Sequence, residues 1–286
     1  MCNQKPELNQ KPDKNAPIGV FDSGVGGLTV AREIMRQMPE ERIVYFGDTA
    51  RVPYGSKSQD TIIRYSRQII RFLMTKHVKA IVIACNTASA YALATVEKEF
   101  DVPIIGVIRA GARTAVQVTR NGKIGVIATE GTIGSGIYTQ EIKKLRPDIE
   151  VTGKPCPLFV PLVEEGLLHD SVTDEIASRY LSSLKSRFVD TLVLGCTHYP
   201  LIRSTLGRLM GNDVTLVNPA YETAIELRDL LQKYGLSCDE ENTGGEKYQF
   251  FVSDQTEKFT AFATSILPND VKETRNSSNS IKCAGT

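Results

Sequence analysis

The sequence predicts an α/β fold built on parallel strands. Three observations carry this reading. The apolar runs are short, continuous and aliphatic rather than alternating, as in strands buried on both faces. Most are followed by a stretch with helical spacing. One strand-and-turn pattern occurs twice, at Val78–Thr87 and at Val189–His198.

Taken in order, Ile18–Phe21 is the first strand and Asp22-Ser23-Gly24-Val25-Gly26-Gly27 a turn. Leu28, Ala31, Ile34, Met35 and Met38 then mark a helix that stops at Pro39. Ile43–Phe46 is a strand followed by a helix over Thr61–Met74. Ala80–Ala84 is a strand with a helix from about Thr87 to Phe100. Ile104–Val107, Ile124–Ile127, Thr191–Leu194 and Val214–Val217 repeat the theme, each with helix after it. Residues 1–16 read as a flexible extension and 268–286 as a disordered tail, because both are polar and without periodicity.

Composition narrows the function. The 286 residues are 41% hydrophobic, enough for one large core or two ordinary ones. Thirty-four basic residues against 33 acidic ones leave a net charge of +1, which removes the electrostatic case for a nucleic acid or a membrane surface. No apolar run reaches the ~18–20 residues of a membrane span. The opening MCNQKPELNQKPDKN has no secretory pattern, so a cytoplasmic protein with reduced thiols is expected.

Of six cysteines none forms CxxC or zinc-finger spacing, and with three histidines no metal site is expected. Gly24-Val25-Gly26-Gly27 lacks the GxGxxG spacing and no P-loop lysine follows, so no nucleotide is expected either. No lysine for pyridoxal phosphate is recognisable, and the expected cofactor is none. Cys85 and Cys196 stand apart, 111 residues from each other, each ending an apolar run and followed by polar residues. Ligands of open α/β sheets bind beyond the carboxyl ends of strands. A helix N-terminus after each cysteine would favour a carboxylate and lower the thiol pKa from ~8.5. Two such thiols on opposite sides of one small acid suit inversion at carbon, one removing the α-proton and the other donating one. A disulfide, a single nucleophile with His198 as base, and two packed core cysteines are the alternatives. Asn86-Thr87 and Thr197-His198 weigh against the last.

Asp22–Leu28, Pro53-Tyr54-Gly55, Ala84-Cys85-Asn86-Thr87-Ala88 and Gly195-Cys196-Thr197-His198-Tyr199-Pro200-Leu201 together resemble the glutamate racemase family. The resemblance runs from about Pro17 to Leu267 and includes motif order and spacing. It implies cofactor-independent interconversion of L- and D-glutamate, supplying D-glutamate for peptidoglycan. It implies Cys85 and Cys196 as the two bases, with Asp22 near Cys85, and His198 and Glu164 near Cys196. Asp22, Ser23, Pro53, Tyr54, Gly55, Asn86, Thr87, Thr197 and His198 are implied to bind substrate. Two similar domains are implied, each a mostly parallel sheet flanked by helices, with the active site in the cleft between them. The first would comprise 17–109 plus about 220–267, the second 110–219. A homodimer is implied, with no membrane and no direct nucleic-acid partner. Arg109 and Ala110 depart from the family pattern, where Glu or Gln precedes Pro. The rivals are an aspartate or hydantoin racemase, and a binding protein whose extension engages a partner.

Overall fold

The computed structural model describes residues 13–238, 246–254, 256–267 and 282–283. Its strands form two sheets, and every pairing in both is parallel. The first sheet contains β1 (Ile18–Asp22), β2 (Ile43–Gly47), β3 (Ala80–Ile83), β4 (Ile104–Gly106), β9 (Tyr248–Val252) and β10 (Lys282–Cys283), in the order β10-β9-β2-β1-β3-β4. The second contains β5 (Lys123–Ala128), β6 (Glu150–Pro155), β7 (Thr191–Gly195) and β8 (Thr215–Val217), in the order β6-β5-β7-β8. β1, β2, β3 and β7 are buried along their whole length, which is why their sequences read as unbroken aliphatic runs.

The helices cover both sheets. α2 (Gln59–Met74) and α3 (Asn86–Glu99) bury Ile62, Ile69, Leu73, Ala92 and Val96 on one face of the first sheet. α7 (Phe159–Glu164) and α8 (Ser171–Lys185) cover the far face of the second, with α9 (Arg203–Met210) beside them. Between the sheets lie α1 (Leu28–Gln37), α4 (Val107–Val118), α6 (Ile137–Leu145), α10 (Pro219–Tyr234) and α11 (Thr256–Ile266). Their apolar faces share one continuous core with strands of both sheets, so the two halves are welded through this layer. α4 also carries the chain from β4 to β5, and there Arg109 pairs with Glu97 at 3.4 Å while Ala110 is buried.

The predicted α/β class and the two parallel sheets stand. Three details differ from the sequence reading, and a fourth, β9, is a strand it left unread inside the stretch the resemblance gave to the first domain. β6 went unread because it is a polar edge strand, partly exposed throughout. β9 joins the first sheet beside β2 across a long chain separation that no local pattern reveals. Residues 13–16, assigned to the extension, form a turn in which Asn15 N donates to Asp13 Oδ1 at 2.9 Å. In the predicted tail, Lys282 and Cys283 pair with β9, where composition gives no element. The remainder of both terminal stretches lies outside the described residues.

Candidate active site

The carboxyl ends of β1, β2, β3, β5 and β7 open on one cleft of about 340 Å3, within the usual range of small-molecule sites. Most candidate side chains follow a strand that ends there, while Glu164 comes from α7. β3 stops before Cys85, which caps α3, its sulfur accepting from Ala88 N at 3.4 Å. β7 stops before Cys196, whose sulfur lies 3.8 Å from His198 Nδ1. Both thiols are almost fully buried yet reach the cleft wall. Neither is in a disulfide.

Ser23, Pro53, Tyr54, Gly55, Asn86, Thr87, Glu164, Thr197 and His198 share that wall. Ser23 Oγ lies 3.6 Å from Cys85 Sγ. Tyr138 donates to Asn86 Oδ1 at 2.7 Å, which leaves the amide N–H groups as the ones Asn86 can offer. His198 Nε2 sits 3.0 Å from Glu164 Oε1, so the imidazole is held between a carboxylate and a thiol. Tyr54 turns its hydroxyl away, donating it to Asp48. Asp22 is fully buried and sits behind the wall, outside the cleft lining. Its Oδ2 accepts from Gly24 N at 3.0 Å, while Oδ1 has no hydrogen-bond partner. The turn it supports is tightly fitted. A Cβ on Gly26 would lie 2.3 Å from Thr197 Oγ1 and 2.5 Å from His198 Nδ1, so only glycine lets the first half approach the second there. Thr29 Oγ1 reinforces the approach, donating to the Thr197 carbonyl at 3.2 Å.

Several lining groups escaped the sequence reading, Pro157, Val160 and Glu165 among them. Thr129 and Glu130 follow β5 and line the cleft. The hydroxyls of Thr87, Thr129 and Thr132 lie within 2.9–3.1 Å of one another, joining α3 to the second sheet. The available signal was position alone, because Thr129 follows its strand as Cys85 and Cys196 follow theirs. Among the described residues no Lys or Arg lines the cleft, so an anion bound there meets hydroxyl, amide and backbone donors together with His198.

The electrostatics of the two thiols differ. Burial, and then the charge of Asp22, push the Cys85 thiol up to about 12. The expected lowering by a helix N-terminus is therefore overturned at Cys85: the Ala88 N–H acts in that direction and is outweighed. Burial would lower the His198 pKa, but hydrogen bonds to Cys196 and Glu164, and the charges of both, raise it to about 10. Burial likewise raises Asp22, against His198 and three backbone N–H groups. The second copy of the strand-and-turn pattern also departs in backbone, since a short 3₁₀ turn, Tyr199–Ile202, follows Cys196 before α9 begins.

Comparison with known proteins matches residues 18–225 to the family model for Asp/Glu/Hydantoin racemases. A glutamate racemase of Geobacter metallireducens is 51% identical over 237 residues, covering 83% of this chain and 87% of that protein. The chain belongs to the glutamate racemase family. Among solved structures of the family, glutamate racemase isoform RacE1 from Bacillus anthracis superposes with a TM-score of 0.85 at 40% identity, covering 95% of this chain and 98% of that one. The glutamate racemase of Francisella tularensis, solved in complex with D-glutamate, gives the same TM-score at 38% identity and the same coverage.

Proposed function

We propose that this enzyme interconverts L- and D-glutamate by proton transfer at Cα, with Cys85 on one side of the substrate and Cys196 on the other. The observation that carries the reading is the pair of buried thiols, delivered by corresponding strand ends of two parallel sheets to one small cleft. One sulfur takes the α-proton as thiolate while the opposite thiol supplies another, and the return reaction exchanges the roles. Asp22 assists Cys85 from behind, and His198 assists Cys196, oriented by Glu164. Ser23, the wall from Pro53 to Gly55, Asn86, Thr87 and Thr197 hold the substrate's amino and carboxylate groups. With no lysine or arginine among the described lining residues, hydroxyl, amide and backbone donors together with His198 hold the carboxylates. The reaction needs no cofactor in this reading, and activity should survive dialysis against a chelator.

The product serves peptidoglycan synthesis. The first domain takes 17–109 and about 220–267, the second 110–219, and a cytoplasmic setting keeps the thiols reduced. The homodimer is checked by light scattering. Solvent exchange tests the mechanism. In D2O, D-glutamate formed from L-glutamate should carry deuterium from the first turnovers, while unreacted L-glutamate stays largely protiated. Protium-retaining D-glutamate early in the reaction would point to one base serving both faces.

A further inference from the structure

Asp48 follows β2 and is fully buried, but it is not part of the cleft wall. Its carboxylate gathers groups from two stretches of chain. Tyr54 donates its hydroxyl to Oδ2. Arg51 Nε donates to Oδ1 at 2.8 Å, and the Ser253 hydroxyl donates to Oδ1 at 3.0 Å. Arg51 in turn lies over the Tyr65 ring at 4.2 Å, and Tyr65 packs 5.8 Å from the Tyr54 ring. A buried carboxylate is tolerated only while such partners stay in place, so this cluster resists rearrangement.

The cluster ends at the cleft. Val52, Pro53, Tyr54, Gly55 and Ser56 form one wall of it. On the far side of Tyr54, the Gly55 carbonyl accepts from Gly131 N at 2.8 Å, in the helical turn that follows β5 of the second sheet. The wall is therefore pinned at two points, by Asp48 through Tyr54 on the first half and by Gly131 on the second.

We propose that Asp48 is a positioning residue for substrate binding, acting through the Tyr54 hydroxyl to hold the 52–56 wall in register with the second half of the molecule. The proposal rests on glutamate being the substrate of the cleft. On this proposal the wall holds the side-chain carboxylate of glutamate, which proton transfer at Cα leaves unchanged, so loosening it removes binding common to ground and transition states. Its signature is in KM rather than kcat.

The experiment compares Asp48→Asn, Tyr54→Phe, the double variant and Ser253→Ala with the wild type. Racemisation is followed by circular dichroism, and hydrogen exchange of residues 50–58 is measured without ligand. Asp48→Asn and Tyr54→Phe should each raise KM about five- to tenfold, leave kcat within about twofold, and show a double no worse than the poorer single. Exchange over 52–56 should quicken in both. Ser253→Ala removes one partner of the same carboxylate and leaves the Tyr54 bond in place, so it should raise KM by less than either of the other two variants. An unchanged KM despite faster exchange overturns the proposal, as does an additive double or a loss confined to kcat. If Asp48→Asn does not fold, Tyr54→Phe carries the test. A wild-type protein inert toward glutamate defeats the functional reading alone, and exchange then decides whether Asp48 anchors the wall.

Discussion

The two thiols are placed by the same backbone device and surrounded by opposite chemistry. Cys85 ends a strand, caps a long helix, and has a buried carboxylate, Asp22, behind it. Cys196 ends the corresponding strand of the second sheet, precedes a short 3₁₀ turn, and has a histidine, His198, beside it whose pKa its partners raise. A racemase needs both sulfurs to act as acid and base in alternation, yet the protein gives them different helpers. In the proposed mechanism the direction of reaction selects the helper, because Asp22 behind one sulfur and His198 beside the other bias different protonation states of the pair. Both halves reach the same cleft only because the Gly26 turn leaves room for Thr197 and His198.

The severest way to break this pairing is to remove a sulfur. Replacing either Cys85 or Cys196 by Ala should cost on the order of 10³-fold or more in kcat, since each proton transfer loses its only group. Polarimetry checks it, and near-normal turnover in one of the two variants would leave a one-base mechanism.

Removing the helpers instead tests the difference between the halves. Asp22→Asn and His198→Asn should each lose about 10- to 100-fold in kcat. The losses should fall unequally on the two directions, and in opposite senses for the two variants. The products are enantiomers, so the equilibrium constant stays at one and KM must shift with kcat. Without the Asp22 charge, the Cys85 thiol should titrate lower, moving its limb of the pH–rate profile to lower pH. Help from the His198 imidazolium is present below about 10 and lost as pH rises through that value, a limb that His198→Asn should lack. Equal losses in both directions would reduce both residues to binding groups.

Gly26→Ala sharpens the comparison with the smallest effect. The new methyl group must displace Thr197 or His198, so it should destabilise the fold by about 1–3 kcal/mol and raise KM in both directions alike. Thermal melting together with kinetics in both directions checks it. A directional effect would mean that the turn adjusts one thiol rather than the spacing of the halves.

The strands and their carboxyl-end residues were legible because burial on both faces of a parallel sheet leaves short aliphatic runs, and the polar residues that follow stand out against them. Cys85 with Asn86-Thr87, and Cys196 with Thr197-His198, were found this way. β6 was not, because an edge strand lacks that burial and carries a polar sequence. Thr129 was missed because a hydroxyl after a strand resembles any helix cap, and Thr129 does cap its helix.

Local pattern was thus enough for the α/β class, the two cysteines and the polar residues beside them, because those depend on burial and on neighbours along the chain. The contacts that make the site asymmetric depend on groups distant in sequence. Glu164 meets His198 across 34 residues, and Ser253 meets Asp48 across 205. The direction of the Cys85 shift was decided in the same way. A helix N-terminus is a local feature and predicts a lowered thiol, but complete burial and a carboxylate delivered by a neighbouring strand push the other way. Desolvation depends on everything packed around the sulfur, which only the folded chain assembles.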